Sequence, residues 1–327
     1  MADQRNQVNI PANLVPKVWA KKVWHEGVKD SYFDKFTAMD GSNVVHQNKD
    51  LTNVKGDSVV FGLMMNLTGS GVEGNRQKLA GSEDTLNIYD FTVQTQLVRN
   101  AVSRYEADDQ KSQYDMLKEI KSALKQWLAD WLDDKLISKL SYNPLFTETV
   151  FAGAAGTQSA ITANDKLTTT IISRAKRKAM MHAPKVQPIK VDGMDKYIML
   201  ISPWAARDLK DDPKWLAAQQ NANVRGSKNP IFTGSLGEYD GVILYEYERV
   251  TCDNTGASSA NVCHNLLLGR QAACFAVARP VKHIEQIDDY GNIAGNGIAF
   301  YSAVEKTKFN SKDYGSIQVL TGGAVER

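Results

Sequence analysis

The chain is predicted to adopt an α+β fold. Two strand-like runs flank a glycine-rich polar stretch between residues 56 and 102, one long amphipathic helix pattern covers 109–140, and the last third alternates short apolar strands with turns. Blocks of strand, then helix, then strand describe an α+β domain.

Residues 1–50 lack core periodicity, and Pro11 and Pro16 interrupt their start. A short helix is expected over Val15–Trp24, with Val15, Val18 and Trp19 on one face. A second piece sets Tyr32, Phe33 and Phe36 together at helical spacing. Aromatic residues in a polar arm dock onto something; the sequence leaves open whether that is the same subunit or a neighbour.

Gly69, Gly71 and Gly74 spell G-x-G-x-x-G after the apolar run Val59–Met65. A dinucleotide-binding turn would be followed by a buried amphipathic helix. Here Asn75-Arg76-Gln77-Lys78-Leu79-Ala80-Gly81 is polar and ends in glycine, and Leu86, Ile88, Phe91, Val93, Thr95 and Leu97 then form a strand pattern. This is an extended β-hairpin, and a long hairpin with few core residues is an arm that reaches for other subunits. The pattern shifts by one residue at Asp90, which predicts a bulge or bend there.

In the helix at 109–140, Tyr114, Leu117, Ile120, Leu124, Trp127, Leu128, Trp131, Leu136 and Leu140 recur every three or four residues. Asp108, Asp109 and Asp115 suit its start, Lys135 and Lys139 its end, and Asn143-Pro144 stops it. Its length would be about 45–50 Å. Asp130, Asp133 and Asp134 read as a solvated face.

Residues 145–164 are small and polar and read as a loop or insertion. A helix over Thr168–His182 should turn Ile171, Ile172, Ala175 and Ala179 inward, and its basic run Arg174–Lys178 reads as solvated. Lys196–Ile201 is a buried strand. Ser202-Pro203 opens another helix as N-cap and first helical residue, and Trp215 and Leu216 continue a short helical piece. A turn-rich loop at Arg225–Pro230 precedes a strand at Val242–Tyr245. Further strands are expected around Leu266–Leu268, Phe275–Ala278, Val281–Ile284, Ala299–Tyr301 and Gly315–Leu320.

The chain has 327 residues, 43% hydrophobic and 23% charged, with 39 basic against 37 acidic residues. A net charge of +2 supplies no strong field for nucleic acid. No apolar run approaches the roughly 18 residues that span a bilayer. The polar N-terminus lacks a signal-peptide core, so synthesis and folding in the cytosol are expected. Cys252, Cys263 and Cys274 lie eleven apart with no close C-x-x-C pair, which argues for buried thiols over a metal site. His25, His46, His182, His264 and His283 join no Ser/His/Asp arrangement, and Gly234-Ser235-Leu236-Gly237 is one residue short of a nucleophile elbow. No catalytic residue, cofactor or metal is expected.

Several stretches carry a resemblance. They are Lys55-Gly56-Asp57 leading into Val59-Val60-Phe61, Gly69–Gly74 with Leu79–Asp84, Tyr197–Trp204, and most specifically Asn229–Val242 and Leu268–Ala273. In this order the chain resembles the major capsid (coat) proteins of tailed bacteriophages, the Johnson fold, and is similar to the coat family of short-tailed, large-genome phages.

The resemblance implies an N-terminal arm (1–50), an extended loop (51–103), a peripheral domain with a spine helix (104–165), an axial domain (166–284) and C-terminal strands returning to the peripheral domain (285–327). It implies a homo-oligomer of hexamers and pentamers in the virion, enclosing double-stranded DNA through non-specific contact. Portal, scaffolding and decoration proteins would be partners, and no membrane would be involved. Gly69, Gly71, Gly74, Arg76 and Lys78 of the hairpin tip, with Tyr32, Phe33 and Phe36 of the arm, are the expected intersubunit contacts. An encapsulin-like compartment is the alternative shell; an enzyme is the alternative of another class.

Overall fold

The computed structural model describes residues 30–49, 58–64, 71–74, 80, 83–84, 88–113, 115–141, 149–191, 193–220, 236–309 and 312–323, and the structural statements below concern these. The expected helix at Val15–Trp24, the loop at Arg225–Pro230, and Gly69, Arg76, Lys78 and Tyr114 lie outside them.

A 3₁₀ turn, Tyr32–Phe36, leads into β1 (Thr37–Ala38) and β2 (Val45–Asn48), which pair in parallel. β3 (Ser58–Met64) and β4 (Ile88–Gln94) form the predicted antiparallel hairpin, in unbroken register from Ser58 opposite Gln94 to Met64 opposite Ile88. The expected irregularity at Asp90 is absent, since Asp90 faces Gly62 within that ladder. The break comes at Thr95, where the chain changes partner: β5 (Gln96–Tyr105) leaves the hairpin and pairs with a strand near the C-terminus.

The long helix is shorter than its sequence pattern. α1 (Glu106–Lys111) ends at Ser112, and α2 (Met116–Ser141) begins afresh. Asp115 causes the restart: its Oδ1 accepts the N–H groups of Leu117 (3.1 Å) and Lys118 (3.2 Å), as an N-cap does. The 26 residues of α2 span about 39 Å.

Beyond α2, the stretch expected to be loop contains β6 (Thr149–Phe151), which gains strand structure by pairing in parallel with the C-terminal strand. α3 (Thr169–Met181) buries Ile171, Ile172, Ala175 and Ala179 as predicted. β7 (Ile189–Val191) and β8 (Met194–Ile201) follow. α4 (Pro203–Lys210) is capped by Ser202, whose hydroxyl accepts the Ala205 N–H at 3.2 Å. α5 (Pro213–Gln220), β9 (Glu238–Tyr239), β10 (Val242–Glu246) and β11 (Cys252–Asp253) come next. The chain closes with β12 (Asn261–Leu268), β13 (Ala273–Asp288), β14 (Ile293–Lys306), β15 (Lys308–Phe309), β16 (Lys312–Asp313) and β17 (Ser316–Gly323).

Two sheets organise these elements. The larger runs β6-β17-β12-β8-β10-β9, with β11 beside β12 and β7 beside β8; the smaller runs β1-β2-β13-β14-β5. The segment 285–327 is therefore divided between them, β14 in the smaller sheet and β17 in the larger. β8 and β12 are apolar on both faces because both faces are covered. Met199, Ile201 and Leu267 pack toward α3, α4 and Trp215. Ile198, Leu200, Leu266 and Leu268 pack toward Leu132, Leu136 and Leu140 of α2. The N-terminal half of α2 instead rests Ile120, Leu124 and Leu128 on Val281, Ile298 and Phe300 of the smaller sheet. One helix thus spans both sheets.

The turn Gly269–Ala272 ties the sheets to the arm. Arg270 Nε (2.5 Å) and Gln271 Nε2 (3.1 Å) both donate to the Gly41 carbonyl. A Cβ at Gly269 would sit 2.5 Å from the Gln187 carbonyl oxygen, so glycine is required for this approach.

Candidate functional site

The arm's docking point is built around Asp133 of α2. Its carboxylate is buried and accepts the Ser31 hydroxyl at 2.5 Å and the Tyr32 N–H at 3.0 Å. It thereby satisfies the opening of the Tyr32–Phe36 turn, a service a helix terminus ordinarily requires. Phe33 and Phe36 then enter the core cluster that contains Leu132 and Leu136. Tyr32 stacks on Tyr247 with ring centroids 4.2 Å apart, and Phe36 meets Tyr245 edge-on at 5.0 Å. Lys35 places its ammonium 3.7 Å from the Tyr32 ring centroid, a cation–π contact.

The electrostatics follow from burial. Burial first, then Tyr245 and Asp133, push the Tyr32 phenol up to about 12. Tyr247 is raised by burial first and then by Asp133. Burial pulls Lys35 down. Beside this hub, Arg249 bridges Asp130, three residues before Asp133, and Asp134, the residue after it, the latter at 2.8 Å.

Two expectations change here. Asp133 is not part of a solvated face: it is the acceptor that seats the arm. Phe33 and Phe36 spend their apolar area inside their own subunit, at 0% and 2% exposure, and Tyr32 alone of the three keeps partial exposure. Sequence reasoning missed Asp133 because a buried acid on an amphipathic helix differs from an exposed one only through its distant partner. Tyr245 and Tyr247 were missed for the same reason.

The hairpin has a docked base and a free side. Val59, Phe61 and Val93 pack on Cys274 and Ala276 of β13, whereas Val60 and Ile88 are exposed. Gly71 (φ 69°) and Gly74 (φ 84°) adopt left-handed backbone in open space, as a polar turn demands. The remaining tip residues among the expected contacts, Gly69, Arg76 and Lys78, fall outside the described residues.

A second ribbon was not anticipated as such. β13 and β14 pair from Ala273–Lys306 to Asp288–Ile293, with register shifts between Val277 and Lys282. Its tip carries Tyr290 and Ile287, both exposed, with Ile284 nearby. The signal lay in Asp288-Asp289-Tyr290-Gly291-Asn292, a turn-rich run between apolar segments. On the neighbouring β5, Leu97 pairs with Tyr301 of β14, and both are exposed.

Among the described residues, no group of three or more His, Cys, Asp and Glu side chains is arranged to hold a metal ion. No described helix is long and apolar enough to cross a membrane.

Comparison with known proteins agrees with this architecture. A family model described as phage capsid protein matches residues 12–154 and 140–325. The major capsid protein of Pseudomonas phage KPP25 is 26% identical over an alignment covering 92% of this chain and 93% of the relative. The capsid of Ralstonia phage GP4 superposes with a TM-score of 0.79 at 25% identity, covering 91% of this chain and 93% of that one. The cyanophage Pam1 capsid asymmetric unit superposes at 0.81 with 22% identity, covering 91% and 94%. The two-sheet body, the spanning helix, the antiparallel hairpin and a family match from residue 12 to residue 325 converge: the chain belongs to the phage capsid protein family and has the Johnson fold of tailed-phage major capsid proteins.

Proposed function

We propose that this major capsid protein assembles into hexamers and pentamers that close an icosahedral head around double-stranded DNA. The observation that carries the reading is the unused apolar surface on the projecting elements: Val60 and Ile88 on the hairpin, and Ile287 and Tyr290 on the β13–β14 ribbon. Such side chains add nothing to the subunit's own core but gain contact area against another copy. Many weak contacts per subunit then combine into a strong shell.

In this reading the hairpin tip, with Gly69, Gly71, Gly74, Arg76 and Lys78, lies over a neighbour. Residues 1–50 act as the arm, 104–165 as the peripheral domain and 166–284 as the axial domain. Arg174 and Arg177 of α3, beside Lys312, supply positive charge suited to non-specific contact with phosphate. The subunit works through binding and catalyses no reaction, and portal, scaffolding and decoration proteins are its further partners. Negative-stain microscopy and light scattering of the purified protein, with and without scaffold, test this. Capsomers or shells are expected; monomers under every condition would refute it.

A further inference from the structure

Cys252 and Cys263, eleven residues apart in sequence, are directly opposed across the β11–β12 ladder, with sulfurs 2.7 Å apart. The His264 N–H donates to the Thr251 carbonyl at 2.9 Å, one residue beyond the pair on each strand. The two cysteines therefore occupy a non-hydrogen-bonded position. Opposed Cα atoms at such positions lie about 4.5 Å apart, the nearest approach an antiparallel pair offers and within the range that disulfides use.

Access is graded. Cys252 is half-buried and Cys263 fully buried. The Cys263 hydrogen bond lowers the Cys252 thiol, and the reciprocal bond followed by burial raises Cys263. Cys274 has no sulfur partner among the described residues. It lies buried beside the Thr307 hydroxyl at 3.1 Å and is pushed up to about 11 by burial.

We propose that Cys252 and Cys263 are a modification site: a dithiol that closes into a cross-strand disulfide when a peroxide is the oxidant. The Cys252 thiolate attacks one peroxide oxygen, so an S–O bond forms and the O–O bond breaks. Sulfur is oxidised to sulfenic acid and the other oxygen leaves as water. The Cys263 sulfur then attacks Cys252, the S–S bond forms, the S–O bond breaks, and hydroxyl leaves with the Cys263 proton as a second water. Two thiols and one hydrogen peroxide become one disulfide and two waters. Resting on the capsid reading, the reaction would follow release of the particle from the reducing host cytoplasm.

The test exposes reduced full-length protein, both unassembled and as particles, to hydrogen peroxide and follows intact mass and alkylation-based peptide mapping. Loss of two hydrogens is expected in both samples, with a linked 252–263 peptide and Cys274 still alkylatable after unfolding. Cys252→Ser should abolish the loss while leaving Cys263 free. Two free thiols in the treated wild type, or Cys252 carried to sulfinic acid with Cys263 unreacted, would overturn the proposal. Failure to form particles would count against the capsid reading alone, because the unassembled sample still reports on the dithiol.

Discussion

Replacing Asp133 by alanine should loosen the arm without disturbing the sheets. In the wild type its carboxylate accepts the Ser31 hydroxyl and the Tyr32 N–H, at 2.5 and 3.0 Å, in a buried site. Losing these charge-assisted bonds and stranding the Tyr32 donor should cost about 2–4 kcal/mol, since a buried unsatisfied group forfeits about 1–3. For a chain of this size that is about 3–6 °C in thermal midpoint. Asp134→Ala is the control. Asp134 is 65% exposed and Arg249 keeps Asp130, so its loss should stay within about 0.5 kcal/mol. Both substitutions gain the same helix propensity, about 0.6 kcal/mol, so the difference between them isolates the arm contact. The assay is thermal unfolding of the unassembled subunit with hydrogen exchange read at the Tyr32 and Phe33 amides. Asp133→Ala should expose those amides and leave β8 and β12 protected. Equal midpoints for the two variants, or amides already unprotected in the wild type, would refute the reasoning.

Other expectations follow from the same packing. The Tyr247 hydroxyl is buried with no hydrogen-bond partner among the described residues, so Tyr247→Phe should be neutral or stabilising by up to about 1 kcal/mol in chemical denaturation. Lys306 is buried against Asp313 at 2.8 Å, and burial pulls its ammonium down from 10.5 to about 8. The unfolded chain then binds more protons between those values, so this contribution grows as pH rises from 8 toward 10.5 and is lost as pH falls through 8. Tyr32, raised from 10.0 to about 12, acts oppositely: its contribution is complete below pH 10 and declines as pH rises through 12. Lys306→Met should flatten the rise above pH 8 in thermal unfolding while leaving the decline above pH 10 intact. Truncating Ile287 and Tyr290 together to alanine should change subunit stability by under about 0.5 kcal/mol, because both are exposed. The same variant should slow or prevent particle formation in light scattering; unchanged assembly would remove the ribbon tip from the proposed contacts.

Local patterns located the helix that became α2, the inward residues of α3, the Ser202 cap, and strands β8 and β10. Each of these rests on short-range rules: three- and four-residue spacing, a capping hydroxyl, a continuous apolar run. The order of motifs along the chain, Asn229–Val242 first and Leu268–Ala273 second, pointed to the capsid fold, and the two donors at the Gly41 carbonyl give the second motif a mechanical reason. Where local rules ended, distant partners took over. Asp115 restarted a helix whose apolar pattern ran on unbroken, and Thr95 ended a strand because β14 offered β5 a new ladder. Asp133, an acid like its neighbours in sequence, became the arm's anchor because Ser31 and Tyr32 arrive from 102 and 101 residues away. Cys252 and Cys263 met because β11 folded back on β12. Local propensity acts through neighbouring dihedrals and is written in neighbouring residues; the partner of a buried charge, an edge strand or a thiol is chosen by which surfaces the collapsed chain brings together, and that is settled only in three dimensions.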